Sequence, residues 1–202
     1  MPRPDPNAAV AHFEQADRWC HYNAESLNRF RHIYVPLTPS DCLATFAGAV
    51  HGSGISYRTL RVLWPRLEQA YRYFQPDDIA LHRRAVTNAA LRVINYPAKV
   101  NAVVKTAGLL ADQPYDEFVD TYLVSPDAIG QLPFMGKALR YLMARNCGLP
   151  YAKPDVHLLR LADRFGYGRD VQTMCENIGS AVDEPVGYVD VVLFTYASQS
   201  RR

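Results

Sequence analysis

IGQLPFMGKALRYLMARNCGLPYAKPDVHLLRLADRFG, residues 129–166, carries the densest run of structural signals in the chain. A short helix ends there at a turn, Leu132-Pro133-Phe134-Met135-Gly136, and a longer helix is expected from Lys137 to about Asn146. Gly148-Leu149-Pro150 stops that helix, because glycine accepts the left-handed C-terminal conformation and proline cannot continue the hydrogen-bond ladder. The loop to Pro154 then leads into a helix from Asp155 to about Phe165. A tight turn feeding a helix N-terminus aims backbone N–H groups at one point, an anion site that suits a nucleic-acid phosphate. Lys137 adds a mobile positive charge there. Taken alone, the same residues equally describe a helical corner with a structural role.

Around this stretch apolar residues recur at helical spacing, and no strand with period-two alternation is found. A first helix is expected over about Ala8 to Arg31, with Phe13, Cys20 and Leu27 facing inward; Tyr34-Val35-Pro36-Leu37-Thr38-Pro39 breaks it as a linker. A second starts at Ser40 or Asp41, both good caps, carries Leu43, Phe46 and Val50, and ends at Gly52-Ser53-Gly54. Ser56 caps a third with Leu60, Leu63, Trp64, Leu67 and Tyr71, kinked or split at Pro65. Pro76, Pro97, Pro114 and Ser125-Pro126 open further helices, since a first turn tolerates proline. Two more are expected over Asp170 to Ala181 and Glu184 to Ala197. The chain reads as all-α, with about ten helices and no repeats or low-complexity segments.

Composition narrows the class. The chain has 202 residues, enough for one domain or two small lobes, and its 49% hydrophobic and 21% charged residues match a folded soluble protein. No apolar run reaches the roughly 20 residues of a membrane helix. MPRPDPNAAVAHFEQ at the start has no apolar signal segment, so an intracellular, cytoplasmic protein is expected. Cys20, Cys42, Cys147 and Cys175 lie far apart without a Cys-x-x-Cys pair, which disfavours structural zinc or iron–sulfur and suggests reduced, buried thiols. The net charge of +2 is not that of a histone-like binder. Lys99, Lys105, Lys137 and Lys153 are the only lysines among 22 cations. Arginine suits bidentate phosphate contacts, but a GC-rich genome also favours it, so composition permits nucleic acid without arguing for it.

Leu132-Pro133-Phe134-Met135-Gly136, then Gly148-Leu149-Pro150, then Pro154-Asp155-Val156-His157-Leu158-Leu159-Arg160 resembles the signature of the helix-hairpin-helix (HhH-GPD) DNA glycosylase superfamily. That superfamily includes endonuclease III and the glycosylases of adenine, alkylated bases and oxidised guanine. Its signature runs L-P-G-(V/I)-G, a helix, a G-x-P loop and V-D-(T/V)-H-(V/I)-x-R; here the helix is one residue shorter. More weakly, Asp41 to Phe74 resembles the superfamily's opening helix pair, with Ser53-Gly54-Ile55-Ser56 where Q-Q-I-S-like residues often stand. Tyr96-x-x-Lys99 resembles its aromatic-x-x-Lys-Ala element. The likeness spans roughly Asp41 to Tyr196 and is specific only from the hairpin to Asp155. It implies a two-lobed helical fold with the active site in the groove between lobes. Residues 1–38 would form an N-terminal helix and linker, and 39–202 the glycosylase domain, with its hairpin at 129–147 and catalytic loop at 148–158.

The resemblance further implies a DNA N-glycosylase acting as a monomer on double-stranded DNA that holds a damaged or modified base, without a membrane. Pro133, Phe134, Met135, Gly136 and Lys137 would bind DNA. Asp155 would stabilise the oxocarbenium-like transition state and activate water; its plainer reading is a helix cap. Lys137 has two readings, an amine nucleophile that also permits strand cleavage or a cation for phosphate. His51 and Ser53 fall where the likeness places base-pocket or wedge residues. His157 is expected to bond the loop backbone and Arg160 to anchor the fold by an ion pair. No cofactor is implied, since the cluster-binding cysteines are absent; the hairpin leaves room for a monovalent cation. Three departures stand out: Phe134 replaces the first hairpin glycine, Pro154 replaces a valine, and Ala138 stands where strand-cleaving members carry lysine. Lys137 takes that place only if the missing residue is drawn from the hairpin, and one residue turns a helix by about 100°. Excision of modified bases from phage DNA, a non-catalytic DNA-binding module and a helical protein-interaction domain are the alternatives.

Overall fold

A computed structural model describes residues 3–23, 27 and 38–199, which form twelve α-helices and one 3-10 turn and contain no strand. In chain order the helices are α1 (Pro6–Asn23), α2 (Pro39–Gly52), α3 (Tyr57–Ala70), α4 (Pro76–Leu81), α5 (Arg83–Val93), α6 (Pro97–Ala111) and α7 (Tyr115–Tyr122). They continue with α8 (Pro126–Ile129), α9 (Leu139–Asn146), α10 (Val156–Arg164), α11 (Val171–Val182) and α12 (Val186–Gln199). Several begin where a side chain satisfies an otherwise unpaired N–H. Ser56, Ser125, Asp155 and Asp170 cap α3, α8, α10 and α11 in this way.

The second helix starts earlier than expected. Its cap is Thr38, not Ser40 or Asp41: Thr38 Oγ1 accepts the Asp41 N–H at 3.1 Å and donates to Asp41 Oδ2 at 2.7 Å. Pro39 makes this possible, because its fixed φ and missing N–H fit the first helical position. The first helix begins at Pro6 and is described to Asn23; residues 24–26 and 28–31 of the expected helix, and 34–37 of the linker, lie outside the described residues. Pro65 does not split α3, which continues through it. Pro65 lies on the exposed face of the helix.

The chain divides into two compact units, one continuous (Val35–Met143) and one discontinuous (Met1–Tyr34 with Ala144–Arg202). In the continuous unit α6 is central, packed by α2, α4 and α5, and α3 lies against α5. Leu43, Phe46, Leu67, Ile79 and Val103 are fully buried in it. In the discontinuous unit α1 and α10 each pack against α11 and α12. Phe13, Cys20, Leu158, Met174, Ile178 and Val192 share one core there, with Leu27 against it. Gly166 is obligatory for that packing: its φ is +81°, and a Cβ would sit 2.4 Å from the Arg3 carbonyl oxygen. The N-terminal helix is therefore part of the same unit as the C-terminal helices.

All four cysteines are free and buried. Burial pushes the Cys20 thiol up to about 11 and the Cys42 thiol up to about 12, so both stay protonated near neutrality. Among the described residues no helix is long and apolar enough to cross a membrane.

One backbone feature had no sequence signal. Arg72, Tyr73 and Phe74 are all left-handed, with φ of 51°, 56° and 57°. Side chains on either side hold the turn: Phe74 stacks on Trp64 and Tyr71 at 5.3 and 5.6 Å, and Arg72 Nη1 donates to both carboxylate oxygens of Asp78 at 3.1 and 3.0 Å. A left-handed non-glycine residue costs about 1–2 kcal/mol. Tyr73 is 64% exposed, so little packing is lost on removing it. Tyr73→Gly is expected to stabilise the unit by about 1 kcal/mol, seen as a higher urea midpoint at unchanged slope; a lower midpoint would mean the tyrosine ring contributes more than the strain it carries.

Candidate functional site

In the discontinuous unit, the loop carrying Asp155 is held at each step. The last turn of α9 closes in a Schellman motif: Gly148 N–H donates to Arg145 O and Leu149 N–H to Ala144 O, both at 3.0 Å, with Gly148 at φ 79°. Beyond it, Ala152 N–H donates to Gln172 Oε1 and Gln172 Nε2 donates to Pro150 O, each at 2.8 Å. Lys153 N–H donates to Asp190 Oδ2 at 2.6 Å, and Asp155 N–H to Lys153 O at 2.9 Å. Gln172 belongs to α11 and Asp190 to α12, so two helices hold the loop backbone.

Asp155 is half-buried at the mouth of α10. Its Oδ1 accepts the N–H groups of His157 at 2.8 Å and Leu158 at 3.1 Å. Its Oδ2 carries no hydrogen bond among the described residues. The cap thus orients the carboxylate and leaves one oxygen available. Asp190 is 1% exposed and pairs with Arg145 Nη1 at 3.1 Å. Burial pushes the Asp190 carboxyl up; Arg145 and the Lys153 N–H oppose that, and the nearby Asp155 charge adds to it.

Phe194, half-buried on α12, completes the surroundings. The Lys153 ammonium lies 5.7 Å from its ring centre, and the His157 ring meets it edge-on at 5.9 Å. His157 was expected to bond the loop backbone; its ring contacts Phe194 instead. Arg160 was expected to anchor the fold by an ion pair; it is exposed and makes none among the described residues. Sequence reasoning missed Lys153, Gln172, Asp190 and Phe194. Only Asp190 had a signal, as a carboxylate inside the apolar run Val186 to Phe194, since burial of such a group implies a partner.

In the continuous unit, the hairpin turn keeps a left-handed residue where the superfamily signature has glycine. Phe134 has φ 68°, is 36% exposed and meets Tyr96 edge-on at 6.4 Å. The Met135 side chain is buried and anchors the turn to the core, so only its backbone can meet a ligand. Pro133 is half-buried, while Gly136 and Lys137 are exposed. A Cβ at Gly136 would meet nothing within 4 Å, so the backbone there is open to approach. The helix begins at Leu139 rather than Lys137; Arg140 N–H to Gly136 O, 3.2 Å, is its first closing bond. The N–H groups of Lys137, Ala138 and Leu139 find no acceptor among the described residues. Arg140 pairs with Asp127 of α8 at 2.8 Å, fixing the helix start. The carbonyls of Leu132 and Phe134 are taken by backbone N–H groups, which leaves those of Pro133 and Met135 as oxygen donors for a monovalent cation. No group of three or more His, Cys, Asp or Glu side chains suited to a metal ion is found among the described residues.

His51 is a core residue and is not presented to a ligand. It is fully buried, with Nε2 sharing a 2.9 Å hydrogen bond with the Tyr71 hydroxyl. Ser53 is half-buried; its carbonyl, with that of His51, accepts from the buried Lys99 ammonium, which caps the end of α2. The Lys99 ammonium also lies 5.0 Å from the Tyr96 ring centre.

No protein-family model matches the chain, and no curated protein or solved structure matches it significantly.

Burial, aided by the Lys99 charge, lowers the His51 pKa from 6.5 to about 4. Between those values the unfolded chain binds the proton and the folded chain does not, so stability falls as pH drops through that window. The loss is expected to reach about 3 kcal/mol. His51→Gln should remove it, as shown by urea unfolding of both proteins at pH 7 and pH 4.5; equal losses in both would place the effect elsewhere.

Proposed function

We propose that the protein is a DNA N-glycosylase of the helix-hairpin-helix kind, which flips a modified base and hydrolyses its bond to deoxyribose. The observation that carries the reading is Asp155. It lies in the hairpin, Gly-x-Pro and Asp order of the superfamily signature, is half-buried rather than sealed, and spends only one oxygen on its helix. A carboxylate so held can face an electron-poor sugar carbon with its other oxygen and orient water beside it. The hairpin suits the complementary task of gripping phosphate: three N–H groups without an acceptor among the described residues, an exposed lysine and an open approach at Gly136. Lys137 stands in the turn before α9, free to follow a phosphate, and hydrolysis rather than amine chemistry is the assigned reaction.

Asp155→Asn is a clean probe because asparagine caps helices as well as aspartate does. Base release should fall at least about 100-fold, while melting temperature and affinity for duplex DNA stay unchanged. The substrate panel is a set of duplexes, each holding one modified base, with abasic sites revealed by alkali. Release from no duplex by the unaltered protein, or equal loss of binding and release in Asp155→Asn, would overturn the assignment. Borohydride should trap no covalent complex; a complex lost in Lys137→Ala would replace hydrolysis with imine formation at that lysine.

A further inference from the structure

Asp190 uses both oxygens inside the discontinuous unit: Oδ1 takes Arg145 Nη1 and Oδ2 takes the Lys153 N–H. From there an unbroken series of hydrogen bonds runs to the site. Lys153 O accepts the Asp155 N–H, and Asp155 Oδ1 accepts those of His157 and Leu158. A buried carboxylate needs such partners, yet a cap in α10 does not need a carboxylate on α12. What Asp190 adds is a fixed point two residues ahead of Asp155, with Arg145 tying that point to the last turn of α9.

We infer that Asp190 is a positioning residue for Asp155: through the Lys153 N–H it sets where the Asp155 carboxylate is presented. The inference rests on the glycosylase reading for its effect on rate, but its geometric half stands on the hydrogen-bond series alone. Misplacing a reacting group by about 1 Å can cost roughly 100-fold in rate, without any loss of substrate binding elsewhere.

The test compares two double variants. Arg145→Met with Asp190→Leu removes the buried pair without leaving a lone charge, a replacement that folds typically tolerate, and it leaves the Lys153 N–H without an acceptor. Arg145→Met with Asp190→Asn also removes the pair but keeps an acceptor oxygen. Amide hydrogen exchange at Lys153, His157 and Leu158 is measured in both, together with kcat for base release and Kd for duplex DNA. The leucine variant is expected to exchange at least about tenfold faster at all three amides and to lose about 100-fold in kcat, with Kd within twofold. The asparagine variant should recover most of both losses. Faster exchange at Lys153 alone, or equal behaviour of the two variants, would overturn the inference. If the unaltered protein releases no base from any duplex, the glycosylase reading falls, and the exchange measurements still decide whether Asp190 sets the loop.

Discussion

A carboxylate taken out of water must be given partners, and Asp190 finds them far away in the chain. Arg145 lies 45 residues and Lys153 37 residues from it in sequence. Removing one partner of such a pair leaves an uncompensated charge, typically a loss of 3–5 kcal/mol. Its position therefore constrains α9, the loop and α12 together. Ala152 seats the loop in the core, and its backbone is held by this carboxylate and by Gln172. Asp155 inherits that order.

Asp155 shows how one side chain can cap a helix and still keep an oxygen available. Capping needs an acceptor aimed along the first turn of α10, and one oxygen supplies it. The second oxygen remains for a ligand. The hairpin is organised differently. It holds Met135 in the core and leaves Phe134 left-handed and partly exposed, a conformation that usually falls to glycine. Non-glycine residues in that region persist only where the surroundings enforce them; here the buried Met135 and the Tyr96 ring flank the turn.

Local chemistry made much of the fold legible in the sequence. Ser56, Ser125, Asp155 and Asp170 announce helix starts by their own hydrogen bonds, and the prolines at 76, 97 and 126 mark first turns. Where local signals are weak, the reading thinned. Helix α5 has no side-chain cap and buries only Val86 and Ala90, too narrow a stripe to register against its arginines. The left-handed turn at 72–74 is enforced by Trp64, Tyr71 and Asp78, and nothing in Arg-Tyr-Phe itself requests it. The candidate site divides in the same way. Asp155 and the hairpin were visible as a spaced motif, whereas Gln172 and Asp190 act on the loop from distant helices and had no motif to belong to. His51 was misplaced because sequence position alone cannot distinguish a groove-facing residue from one turned into the core.

The discontinuous unit has one further consequence, for the order in which the molecule assembles during synthesis. The Tyr188 hydroxyl donates to Asp17 across 171 residues, and α1 has no core until α11 and α12 exist. The continuous unit is formed by one uninterrupted stretch of chain and can begin to collapse once that stretch has emerged from the ribosome. The N-terminal helix must wait unpaired for nearly the whole chain, through a loop closure of high entropic cost. Asp155, whose loop is held by α11 and α12, is among the last parts of the protein to take shape.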